Sequence, residues 1–302
     1  MIAIFQSEPR KKRSACSCAV LLCILLSMEN YFARLLLSSE LDDPVYFAHI
    51  HDNIAKLEKK LVAHFNEHGP MNQHYVVLMG ELNMAYYSSG DTSKELEVAQ
   101  ELYQICVSIN GEESELTLEA LIALASSYLD DGQIEEAQGI ASTLLQRNWT
   151  TQDETSYDLY IDALCLQADI HHAKEEFHKE LTIREHVLSI FEEFEGSASN
   201  QAVTARCARA FCLEKLKRWK DALSDYRIIR AYLDVETDFA TEAEKLGLLV
   251  HIGRCYRKMG NFSDSHAIFQ WAYKDAVNRW GAASSPAKKL SRIIGISQAN
   301  QT

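Results

Sequence analysis

The sequence predicts an all-helical solenoid of about five helix-turn-helix repeats with capping helices. Three observations carry this. Only 4 prolines and 12 glycines punctuate 302 residues, so long helices are favoured over sheets. Apolar residues recur at helical intervals through most of the chain. A turn position returns at Gly90, Gly132, Glu175, Lys217 and Gly260, in steps of 42 or 43 residues.

The elements follow in chain order. Residues 1–27 join a basic cluster, Arg10 to Arg13, to an apolar run from Ala15 to Met28. The run is shorter than a membrane helix needs, about 20 residues. It is read as a targeting or anchoring leader, a disordered extension, or a segment upstream of a true start at Met28. Cys16, Cys18 and Cys23 are acylation candidates within it. Residues 28–75 form an N-terminal helical pair or cap, ending at the helix stop Gly69-Pro70.

Five units follow across 76–280, at 76–109, 118–151, 161–194, 203–236 and 246–279. Each reads as two amphipathic helices around a short turn. Small residues at Ala125, Ala168, Ala210 and Gly253 let the paired helices approach. Ala137, Ala222 and Ser265 do the same from the second helix. Tyr86, Tyr128 and Tyr256 fill the space between repeats, and glycine at the turn accepts a left-handed conformation. Residues 281–302 form a basic tail with a short capping helix near Pro286.

Charge is unevenly placed. The net charge of −13 comprises +3 in residues 1–27, +3 in 281–302 and −19 between them. A body that acidic repels phosphate backbones, so nucleic-acid binding by the fold is not expected. The eight cysteines show no CxxC pair, and read as small buried hydrophobes in a reducing, cytoplasmic compartment. No Gly-rich phosphate loop, GxSxG or GxGxxG occurs, so no catalytic role or cofactor is expected. His64 and His68 share a helix face and could in principle meet a metal, but no Cys ligand or HExxH accompanies them. Asn148, Asn261 and Asn300 begin glycosylation sequons, relevant only if the leader directs secretion.

The stretches "LEALIALASSYLDDGQIEEAQGIASTLL" and "LLVHIGRCYRKMGNFSDSHAIFQWA", with Ala125, Tyr128, Gly132 and Ala137 in the first and Gly253, Tyr256, Gly260 and Ser265 in the second, resemble the tetratricopeptide repeat. That unit is 34 residues long. The longer period here, with "GEESELTLEALIALASSYLDDGQIEEA" as its nearest piece, is similar to the kinesin-light-chain-like subclass. The resemblance covers about two thirds of the chain and is weakest in unit 3, where Glu175 and His171 replace the glycine and tyrosine.

The resemblance implies a right-handed superhelix whose first helices line a concave, peptide-binding groove. Transferred unit by unit, the groove would present Tyr87 and Met84 in unit 1, and Glu119, Ser126 and Asp130 in unit 2. Asp162, Asp169 and His172 follow in unit 3, then Cys207, Phe211 and Glu214 in unit 4. Unit 5 offers His251, Arg254, Arg257 and Lys258. A groove basic at its C-terminal end and acidic in the middle would orient a ligand with an acidic segment beside a basic one. Asparagines that hold a partner's carboxylate or backbone in related repeats are missing, since Asn83 stands alone in these helices and at a packing position.

The expected function is a non-catalytic adaptor or scaffold with a protein or peptide partner. Two rivals are a membrane- or organelle-targeted assembly factor that uses a retained leader, and a ligand-sensing subunit or enzyme with an inter-repeat pocket near Asp169, His171 and His172.

Overall fold

The computed structural model describes residues 44–147, 149, 154–235 and 242–299. The leader, the predicted helix Met28–Glu40 and the sequon residues Asn148, Thr150 and Asn300 lie outside the described residues. Twelve helices run through the described residues: α1 Pro44–His68, α2 Gln73–Ser89, α3 Thr92–Asn110, α4 Glu115–Asp130, α5 Ile134–Leu145 and α6 Glu154–Ala173. They continue with α7 Phe177–Phe194, α8 Asn200–Lys215, α9 Trp219–Leu233, α10 Glu242–Lys258, α11 Phe262–Trp280 and α12 Ser285–Ala299. Each packs against its neighbours in sequence, and α4 also reaches α6. This is a solenoid of stacked helix pairs with helices capping its ends.

All five turns adopt one geometry. Gly90, Gly132 and Gly260 have φ of 75°, 81° and 79°, and Glu175 and Lys217 reach the same region at 58° and 60°. The residue after each turn donates its N–H to the carbonyl five residues back: Asp91 to Tyr86, Gln133 to Tyr128, Glu176 to His171, Arg218 to Leu213 and Asn261 to Tyr256. That bond closes a Schellman motif and satisfies the helix end. Glutamate and lysine pay a steric cost there of about 1 kcal/mol that glycine avoids.

The small residues do what their spacing requires. Ala125, Ala168, Ala210, Ala137 and Ala222 are fully buried. A Cβ on Gly253 would stand 2.7 Å from the Phe269 ring, so the α10–α11 contact needs glycine. Ser265 closes the same contact by donating to the Gly253 carbonyl at 2.8 Å. The three tyrosines each reach the helix immediately before their own. Tyr86 donates to Glu58 at 2.6 Å, Tyr128 accepts from Gln100 at 3.3 Å and Tyr256 accepts from Arg227 at 2.5 Å. Stacking of one unit on the next therefore has a polar fixing point beside its apolar core.

Loops between units obey a second pattern. Gly111, Gly196 and Gly281 stand 85 residues apart, all with positive φ, and each begins a Gly-x-x-Ser turn. Ser114, Ser199 and Ser284 then cap the following helix, accepting from Thr117, Ala202 and Ala287 N–H. The capping helix α12 thus enters in the same frame as α4 and α8. Its Gly295 falls 42 residues after Gly253, but no side chain lies within 4 Å of where its Cβ would stand. The end helix has first-helix geometry and an open face.

Candidate peptide-binding groove

The first helices α2, α4, α6 and α8 line one groove with a volume of about 550 Å³. Residues of α3 and α7 form part of its floor. The small residues of the helix pairs set this up, because close pairing leaves the next positions on each first helix facing a shared space.

Nine of the fifteen residues assigned from sequence line the groove: Met84, Tyr87, Glu119, Ser126, Asp130, Asp162, Asp169, His172 and Phe211. Asn83 lines it as well, where it is buried and donates to the Glu95 carbonyl at 2.9 Å.

The other six sit elsewhere. His251 is 1% exposed, with its ring 4.6 Å from that of Phe211 and 5.5 Å from that of Tyr226. Its Nδ1 lies 2.8 Å from Glu214 Oε1, an oxygen that also accepts from Tyr226 Oη at 2.8 Å. Arg254 Nη1 is 3.7 Å from Glu214 Oε2. The Arg257 guanidinium lies over the Phe269 ring at 5.9 Å, and Lys258 Nζ over the Trp219 ring at 5.9 Å. Glu214 therefore gathers His251 and Arg254 of α10 around itself instead of facing the groove, and Cys207 beside it is fully buried.

Two acidic groove residues escaped the sequence reading. Five residues after the turn stands a small residue in units 2, 4 and 5, but Glu95 in unit 1 and Glu180 in unit 3. Both are 2% exposed and line the groove floor. Glu95 accepts from Ser127 Oγ at 2.9 Å. Glu180 meets His172 Nδ1 at 2.9 Å and Arg184 Nε at 3.6 Å, while Arg184 also pairs with Asp169. Carrying the frame through the two units that break the small-residue rule would have found both glutamates.

The electrostatics divide along the molecule. Glu95, Glu119, Asp130, Asp162, Asp169 and Glu180 line the groove against one arginine, Arg184. Burial, then repulsion from Asp158, pushes the Asp162 carboxyl up to about 7. At Glu214 burial also pushes upward, but the His251 and Tyr226 hydrogen bonds and the Arg254 charge outweigh it and hold the carboxyl below the usual range.

The five described cysteines behave as packing groups. Cys106, Cys207, Cys212 and Cys255 are buried and Cys165 is partly so, all as free thiols. Burial pushes Cys106 up to about 11 and Cys165, Cys212 and Cys255 up to about 12, away from thiolate chemistry. At α1, His64 Nε2 lies 2.8 Å from the Asn72 side chain that caps α2. Among the described residues no group of three or more His, Cys, Asp or Glu is placed to hold a metal ion, and no helix is long and apolar enough to cross a membrane.

Neither a protein-family model nor a curated protein matches the sequence. Solved structures do match the fold. BtubC (BKLC) from P. vanneervenii aligns with a TM-score of 0.56 at 14% identity, over 79% of this chain and 94% of that one. A tetratricopeptide repeat protein from Parabacteroides merdae aligns with a TM-score of 0.50 at 14% identity, over 93% of this chain and 99% of that one. The fold is a tetratricopeptide-type solenoid. At that identity the likeness concerns the path of the helices, and the groove residues of this chain stand on their own geometry.

Proposed function

We propose that the chain is a non-catalytic interaction scaffold that holds a peptide segment of another protein in the groove of α2, α4, α6 and α8. The 42–43-residue spacing of its turns supports placing it with the kinesin-light-chain-like repeats. The observation that carries the reading is the continuous groove of about 550 Å³ along four successive first helices. A helix with its side chains is about 10 Å across, so four first helices in succession span about 30–40 Å and accommodate roughly ten residues of extended chain. Tyr87, Asp130, Asp162, Asp169, His172 and Phe211 are the contacts this reading assigns.

The test is affinity capture from native lysate with the full chain and with Ser126→Trp, which fills the groove. Circular dichroism establishes that the variant retains its helices. Partners held by the native chain and lost by Ser126→Trp support groove binding. Identical partners on both would place the interface on another face.

A further inference from the structure

We propose that the groove selects a cationic amphipathic segment, with Lys or Arg side chains against Asp130 and Asp162 and apolar side chains against Met84, Ile122 and Phe211. The inference rests on the peptide-binding reading above and supplies the chemistry of its ligand.

Three observations lead to it. The first is composition: six carboxylates line the groove and Arg184 is its one arginine or lysine. Arg184 is itself engaged by Asp169 and Glu180, and its side chain is only 4% exposed, so it offers little charge to an incoming ligand. The second is shape. The carboxylates alternate along the groove with Met84, Ile122, Leu129, Leu166 and Phe211, so its walls present apolar surface between negative points. A peptide with only charge would leave that surface wet, and one with only apolar side chains would desolvate the carboxylates without compensation. The third is Asp162, recessed in the groove and destabilised as an anion by its surroundings. A cation brought beside it relieves that penalty in a site where water screens poorly.

The basic residues of α10 do not alter this balance. They lie outside the groove lining, and Arg254 sits beside Glu214. A ligand with an acidic half and a basic half, the expectation from the sequence, therefore meets the groove through its basic half.

The experiment is selection of random displayed peptides of about twelve residues, enough to span the groove, on the full chain at about 0.1 M salt. Selected sequences are then resynthesised and their affinities measured against the native chain, the Asp130→Asn/Asp162→Asn double variant and Ser126→Trp. The expected result is enrichment of net positive, apolar-containing peptides that lose roughly tenfold or more in affinity on the double variant and bind Ser126→Trp weakly. Acidic or neutral peptides that still fail on Ser126→Trp would overturn the cationic selection and leave the groove reading standing. Peptides that bind Ser126→Trp as well as the native chain would overturn both, as would a selection that enriches nothing. An oligolysine of matched charge binding as tightly as the selected peptides would also overturn the proposal, because attraction by net charge needs no groove.

Discussion

The position six residues before the turn is Met84, Ser126, Asp169 and Phe211 in the first four units and Arg254 in the fifth. The first four side chains line the groove; Arg254 lies beside Glu214 on the neighbouring helix. One frame and one turn geometry thus give two environments. The difference comes from what stands opposite. In the middle units the facing residues stop short of one another and leave an open space. Between units 4 and 5, Glu214, Phe211 and Tyr226 reach His251 and close it. A repeat fixes where a side chain starts, and its neighbours decide whether it meets solvent.

Substitutions at the small position give the largest contrast. Gly253→Leu forces side-chain atoms into the Phe269 ring and is expected to destabilise the fold by about 3 kcal/mol or more. Gly295→Leu, in the same frame but facing open space, is not destabilising and gains up to about 1 kcal/mol from helix propensity. Thermal and urea denaturation of the two variants check the pair. Similar losses in both would mean that α12 is packed as tightly as α10.

The next effect concerns the closed cluster. Glu214→Ala leaves His251, Tyr226 and Arg254 around a missing carboxylate and costs about 2–3 kcal/mol near neutral pH. Because the native carboxyl is held below its usual value, its contribution is present above the ordinary glutamate range and fades as pH falls through its depressed folded value. The gap between native and variant melting temperatures should therefore shrink on acidification.

Asp162 behaves in the opposite sense. Its folded pKa, about 7, lies above the ordinary aspartate value of 3.8, so the folded state holds a proton that the unfolded chain has released between those limits. Its contribution to stability declines as pH rises through that window. Asp162→Asn is expected to raise the melting temperature by a few degrees at pH 8 and to leave it unchanged near pH 3. A gain that did not vary with pH would show that ionisation of Asp162 carries no strain.

The smallest effect is at the turns. Glu175→Gly and Lys217→Gly each relieve a left-handed residue that carries a side chain, and should stabilise by about 0.5–1 kcal/mol. Gly90→Ala and Gly132→Ala should lose about as much. Equal responses at all four positions would argue against a shared turn geometry.

The fold was legible because its signals are local. A left-handed turn residue and small residues at fixed distances from it recur whatever the rest of the unit contains, and even Glu175 and Lys217 betrayed themselves by position. Part of the groove was legible too: Asp130, Asp162 and Asp169 follow once the tetratricopeptide resemblance assigns the first helices of the frame to the concave face. Glu95 and Glu180 were within reach, since they occupy positions the frame had already marked. The closure at unit 5 was not. It depends on Glu214 meeting His251 across 37 residues and on ring packing between α8, α9 and α10, which periodicity does not encode. The exposed charge expected of Arg254 was likewise a property of its neighbours.

The measurement that bears most directly on the account compares Leu129 and Arg257, each three residues before its turn, one lining the groove and one stacked over Phe269. A photoreactive side chain is placed at either position in the full chain, and irradiation is carried out with a peptide selected on the native protein. The account predicts a covalent adduct from position 129 and little from position 257. Crosslinking at 257 with none at 129 would contradict it, and would move the binding surface to the helices that the structure shows folded upon themselves.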